Sequence, residues 1–273
     1  MSDWLAAFAL GDGGPLAFLS ARDLLEVRRL CAEARRIVAK RPIACLFRVP
    51  AADAARFARA FPRATKCRMR DATDAALSAL AHIQHLDIAG SPAVTDAGFA
   101  HFINVVTLNM SRCRQRAITD AAFVNLRRLR SLDMTGCNQI SITDGAFAHL
   151  RDVHTLNMSG ADQVTITDEA FAHLRGVRKL NVSDCQITDR AFEHLQHVQA
   201  LDISGCLDVT DAAFVHLRNI QRLDMRYCCQ ETITDTAFAH VAPTLRMLVL
   251  FMSRLPNVTG AGFAQLTRAQ IIQ

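Results

Sequence analysis

Tryptophan and tyrosine occur once each in 273 residues. The interior cannot rest on large aromatic anchors, so Leu, Ala, Val, Ile and Phe must fill it, and a hydrophobic share of 51% is ample for a large core. No apolar run approaches the ~20 residues of a membrane-spanning helix, and no membrane contact is expected. The start, Met1-Ser2-Asp3-Trp4-Leu5, has no basic stretch, and the apolar residues up to Leu10 are broken by Gly11-Asp12-Gly13-Gly14-Pro15, which argues against a secretory leader. Those glycines also lack the Lys-Ser/Thr of a phosphate loop and read as a turn. G-x-S-x-G, C-x-x-C and H-E-x-x-H are all missing, so neither a catalytic site nor a cofactor is expected.

What is present is a repeat. Leu86, Leu108, Leu132, Leu156, Leu180, Leu201, Leu223 and Leu248 fall in register at spacings of 22, 24, 24, 24, 21, 22 and 25. A period in that range predicts a solenoid. Each unit runs L-D/N-hydrophobic-x-x-C, a variable loop, then I/V-T-D-x-A/G-F-x-H-L, as in Leu132-Asp133-Met134-Thr135-Gly136-Cys137 and Ile142 to Leu150. In the strand, Leu132 and Met134 point inward while Ser131, Asp133 and Thr135 face the other way. Thr143 suits a helix N-cap, Asp144 adds negative charge to the first helical turn, and Phe147 with Leu150 buries one helical face. Arg127, Arg151, Arg175 and Arg218 follow the helix-closing leucine, where a cation suits the helix C-terminus.

With Cys at the sixth position and Ile-Thr-Asp before each helix, residues 64–268 resemble the cysteine-containing class of leucine-rich repeats. The resemblance implies an α/β fold, a leucine-rich-repeat horseshoe with a parallel sheet on the concave side and helices on the convex side. Regular repeats are expected over 84–268 and two degenerate ones over 41–83, where Ile43–Val49 and Ala64–Met69 read as strands and Ala52–Phe61 as a helix. Nine cysteines is an odd number, and Cys113, Cys137, Cys185, Cys206 and Cys228 share one repeat position. A stacked column of that kind suits reduced thiols and an intracellular location, cytoplasmic or nuclear.

Residues 1–40 are expected to form a separate helical segment. Leu16 to Val38 reads as two short helices, with Leu24, Val27, Leu30 and Cys31 on one face. Phe18-Leu19, Arg22-Asp23-Leu24-Leu25, Val27 and Cys31 resemble an F-box, a family whose helices dock on the Skp adaptor of cullin-RING ubiquitin ligases. The resemblance implies a Skp-type adaptor contact through Leu16, Phe18, Leu19, Asp23, Leu24, Leu25, Val27 and Cys31. The alternative is an amphipathic cap on the first repeat, leaving a stand-alone scaffold. Residues 21–70 carry 14 Lys and Arg against 4 Asp and Glu, which makes nucleic acid a further, weaker alternative because few aromatics accompany the charge.

Two columns invite metal chemistry. Asp87, Asn109, Asp133, Asn157, Asn181, Asp202 and Asp224 line up on the concave face, where alternation with Asn predicts hydrogen bonds along the ladder instead of a cation site. His101, His149, His173, His194, His216 and His240 lie on neighbouring helices ~8–10 Å apart, too far to converge on one zinc ion, and are expected to be half-buried. The concave face is otherwise small and polar, with Thr107, Ser131 and Thr155 among its residues. Towards the C-terminus it carries Lys179, Arg222, Asp224, Arg226, Tyr227, Met247 and Phe251, the candidate site for a protein target, since interfaces favour Arg and aromatic anchors. The alternative is that Met247, Val249 and Phe251 lie under a C-terminal cap, residues 253–273. The F-box resemblance thus implies a non-catalytic substrate receptor of a ubiquitin ligase, expected to be monomeric outside its complex.

Overall fold

A computed structural model of the protein describes residues 47–160 and 164–272. The expected segment boundary at residue 40 and the adaptor residues Leu16, Phe18, Leu19, Asp23, Leu24, Leu25, Val27 and Cys31 lie outside the described residues.

The described residues form a parallel sheet of 11 strands in strict sequence order. These are β1 (Phe47–Arg48), β2 (Lys66–Arg68), β3 (His85–Asp87), β4 (Thr107–Asn109), β5 (Ser131–Asp133), β6 (Thr155–Asn157), β7 (Lys179–Asn181), β8 (Ala200–Asp202), β9 (Arg222–Asp224), β10 (Met247–Val249) and β11 (Gln270–Ile272). Parallel neighbours need a crossover, and here each crossover is a short α- or 3-10 helix on the opposite face. The conserved spacing of the leucines becomes register: Leu132 pairs with Leu108 on one side and Leu156 on the other, and Leu223 with Leu201 and Leu248. Cys67 of β2 pairs in the same row with Leu86, so the irregular early repeats continue the sheet. The helix expected over Ala52–Phe61 is Ala54–Ala60, entered through a 3-10 turn at Ala51–Asp53.

Side-chain alternation gives β3 to β8 one buried residue between two outward ones, and the middle leucine fills the space between sheet and helices. Phe99, Phe123, Phe147, Phe171, Phe192, Phe214 and Phe238 meet those leucines from the helix side, each with at most 1% of its surface exposed. Neighbouring rings stay in contact, with centroids 6.3 Å apart for Phe99 and Phe123 and 6.4 Å for Phe214 and Phe238. The core is therefore a filled tube that each repeat extends by one layer.

Polar groups tie the layers together. Thr143 caps its helix by accepting the Gly145 N–H at 3.2 Å. Its own N–H and hydroxyl both donate to Asp120 of the preceding repeat, at 2.7 and 2.6 Å. The same clamp recurs from Asp74 with Thr95 through to Asp235 with Thr259. The Asp of the Ile-Thr-Asp motif thus acts on the next repeat as well as on its own helix.

The thiol column points inward, as its position suggests. Cys113, Cys137, Cys185, Cys206 and Cys228 donate S–H to the carbonyls of Ile88, Met110, Met158, Val182 and Ile203, at 3.1 to 3.6 Å. Burial pushes the Cys137 and Cys228 thiols up to about 12 and raises Cys206 as well, so no nucleophilic thiolate forms there near neutral pH. Alkylation at pH 8 mapped by mass spectrometry should modify exposed Cys229 within minutes and spare Cys137 and Cys206 until the chain is denatured. Rapid labelling of Cys137 in the folded chain would show that the column is open. Arg151 and Arg218 close their helices as expected, donating to the carbonyls of Ala148 and Val215.

Among the described residues no helix is long and apolar enough to cross a membrane.

Candidate partner-binding face

The outward residues of the strands form rows across the sheet. The first-position row places Ala200 between Lys179 and Arg222, each its Cα partner in the register. At ~4.8 Å per strand the two cations start about 10 Å apart. A methyl group between two long side chains leaves a depression of about 300 Å³ over β6 to β9, floored by Asn157, Asn181, Asp202 and Asp224 in the third-position row.

Charge inside this depression is unevenly matched. Arg226 binds Asp224 at 2.8 Å through Nε and reaches Asp202 at 3.5 Å through Nη2. The Ser204 hydroxyl contacts the same two carboxylates, at 2.5 and 3.1 Å. Asp224 is only 5% exposed, so unpairing it would leave a nearly buried charge, and its hydrogen bond raises the Arg226 guanidinium further above its ordinary range. Lys179 and Arg222, by contrast, are exposed and form no ion pair among the described residues. Two of the seven expected contact residues are therefore already occupied by each other: Asp224 and Arg226 brace the floor, whereas Lys179 and Arg222 are free.

The Asp/Asn column behaves differently from the expected ladder. Asn109, Asp133, Asn157, Asn181 and Asp202 each accept the N–H of the residue two positions on, at 2.9 to 3.1 Å, which closes their own turn. An Asn whose carbonyl is used this way keeps its NH2 group directed elsewhere. The NH2 groups of Asn157 and Asn181 donate to no acceptor among the described residues.

At the turn edge beyond Arg226, Tyr227, Phe251 and Met252 are 56%, 51% and 66% exposed. The Tyr227 N–H donates to the Phe251 carbonyl at 3.3 Å, which sets these turns side by side. Tyr227 and Met252 both hold φ near 59°, at the repeat position where Gly136, Gly160 and Gly205 take 62–70°. Left-handed backbone is unfavourable for a residue with a Cβ, so large apolar side chains there come at a cost in stability. The expected cap covers only part of this end: β11 flanks β10, Val249 is buried and Met247 half-buried, but Phe251 stays in solvent.

Sequence reasoning missed Ala200 and Met252, and it placed Asn157 and Asn181 on this face without assigning them to the site. The available signal was a small residue between two cations in one aligned column. His101, His194 and His216 are half-buried, while His149, His173 and His240 are exposed. Among the described residues no three His, Cys, Asp or Glu side chains converge as a metal site would require.

A family model described as Leucine Rich repeat matches residues 173–191. Among solved structures, the TLR13–ssRNA13 complex aligns at a TM-score of 0.69 and 18% identity, covering 91% of this chain and 37% of that one. The fold is that of a leucine-rich-repeat solenoid. The solenoid also aligns with the Drosophila Toll–Spatzle complex at a TM-score of 0.51 and 14% identity, covering 84% of this chain and 38% of that one. The yeast Rad7 and Elc1 complex gives 0.50 at 17% identity, covering 92% and 86%. At these identities the likeness is one of fold, and the chain spans little more than a third of the first two structures' chains. No curated protein sequence matches the solenoid.

Proposed function

We propose that the solenoid is a non-catalytic scaffold that holds a protein target on its sheet face and a Skp-type adaptor through residues 16–31, as substrate receptor of an intracellular ubiquitin ligase. The observation that carries the target half is the depression between Lys179 and Arg222, where exposed cations stand without counter-ions on a rigid sheet. Cations left unmatched in an exposed depression support recognition there, since they remain available to an incoming anion. The raised thiols support the non-catalytic part, because Cys137 and Cys228 are held protonated and hydrogen-bonded inward. The adaptor half rests on the sequence resemblance of Phe18-Leu19, Arg22–Leu25, Val27 and Cys31. The Rad7 and Elc1 structure offers a precedent for this architecture within a two-protein complex.

Co-purification with the Skp adaptor, beside a Leu24→Asp/Val27→Asp chain, tests the adaptor half. A stable complex lost in the double variant is expected. A folded wild-type chain that stays alone would leave only the scaffold with a capping N-terminus.

A second reading, nucleic acid, is favoured by exposed Arg48 and Arg70 on the early repeats and by the RNA named in the TLR13 structure. Arg68 between them is ion-paired with Asp87 at 2.5 Å, which diminishes the patch. A steep loss of nucleic-acid affinity with salt would support this reading and flat binding would not.

A further inference from the structure

We infer that the depression over β6 to β9 receives an acidic side chain of an extended partner segment, whose apolar residue four or five positions away rests on Tyr227, Phe251 and Met252. The inference rests on the scaffold reading above and specifies the chemistry of the target.

The first argument is a donor surplus. Lys179 and Arg222 have no counter-ion among the described residues, and the NH2 groups of Asn157 and Asn181 have no acceptor there. The acceptors nearby, Asp202 and Asp224, are engaged by Arg226 and Ser204. The cationic and amide groups left over are donors, complementary to a group that only accepts, and an ionised carboxylate is that group. About 300 Å³ accommodates a carboxylate side chain with its stem, and the ~10 Å between the flanking backbones allows both cations to reach it.

The second argument is length. Arg222 opens β9 and Tyr227 lies five residues on, in the turn after that strand, so the two are less than ~16 Å apart. An extended peptide covers that distance in at most about five residues. A carboxylate held by Arg222 therefore brings a residue four or five positions on over the turn edge, where three large apolar side chains stand in solvent.

The third argument is the backbone at that edge. Tyr227 and Met252 occupy left-handed positions that other repeats give to glycine. Arg112 and Asp184 share the conformation, so the position tolerates a side chain; what sets this end apart is that the side chains are large, apolar and contiguous with exposed Phe251.

Random 12-residue peptides displayed on phage and selected on the full chain test this directly. Expected is enrichment of Asp or Glu with Leu, Met or Phe four or five positions away. Lys179→Glu and Arg222→Glu should each weaken the enriched peptide about tenfold or more. Tyr227→Gly should weaken it about tenfold while melting no lower than the wild type, since glycine suits that backbone. No enrichment, enrichment without acidic residues, or charge-reversed chains that bind the peptide unchanged would overturn the inference. So would a single-stranded RNA 12-mer that displaces the selected peptide at matched concentration. A native protein partner retained equally by the wild type and by Lys179→Glu/Arg222→Glu would overturn this inference while leaving the scaffold reading standing.

Discussion

Phe147→Ala is expected to destabilise the solenoid by about 4 kcal/mol, read as a fall in the urea midpoint followed by circular dichroism. Phe147 is fully buried, and Leu132 and Leu150, which share its layer, are 1% exposed. The loss combines the transfer free energy of a phenyl ring with that of a cavity between repeats that cannot close up. Both neighbouring layers are held by backbone pairing, Leu132 to Leu108 and Leu156, so collapse would require breaking register. In a solenoid each repeat is stabilised mainly by its neighbours, and a defect near the middle weakens two interfaces. Phe263→Ala, at a partly buried position in the last helix, should cost no more than half as much. Equal costs at the two positions would mean that the layers relax independently.

The second large effect falls on a polar residue. Asp120→Ala should cost about 2 kcal/mol, because the Thr143 N–H and hydroxyl both lose a charged acceptor in a half-buried setting. A carboxylate acting only on its own helix dipole is worth about 0.3–1 kcal/mol, so the size of the effect separates the two roles. Asp120→Asn should fall between, since an amide keeps one acceptor oxygen but presents an NH2 group where the second donor arrives. At the last clamp, Asp235 with Thr259, a pH dependence is expected. The Thr259 hydroxyl, followed by its N–H, holds the Asp235 carboxyl below the usual carboxylate range. A depressed folded-state pKa gives stability that is fully present above the unfolded value and disappears as pH falls through the folded one. The last repeats should therefore loosen on the acid side, and an Asp235→Asn chain should lack that component.

The periodicity of Leu132, Met134, Phe147 and Leu150 was sufficient to assign strands, helices and core, because burial on each element follows directly from side-chain alternation and helical spacing. The inward direction of the thiols and the Thr143 cap were legible for the same reason, being local to one repeat, whereas the carbonyls that the thiols reach belong to the preceding one. The clamp between Asp120 and Thr143 was not, since it joins residues 23 apart whose meeting depends on how repeats stack. The same limit affected the candidate face. Lys179 and Arg222 stood out as charges in an aligned column, but the depression exists because Ala200 separates them, and that is a relation across three strands. Asp224 looked like a contact residue from its column alone; its burial under Arg226 and Ser204 depends on side chains from two repeats. Tyr227 was noticed for its ring, whereas its left-handed backbone came from a turn position that the repeat elsewhere fills with glycine.

The central claim is that the sheet face over β6 to β9 is where a protein partner sits. A photo-crosslinking amino acid at Thr155, on the rim of the depression, compared with one at exposed Glu193 on the helix side, tests it most directly in the protein's own cells. The account predicts a discrete protein adduct from position 155 that disappears in a Lys179→Glu/Arg222→Glu chain, and none from position 193. Adducts only from position 193, or none from either, would contradict it.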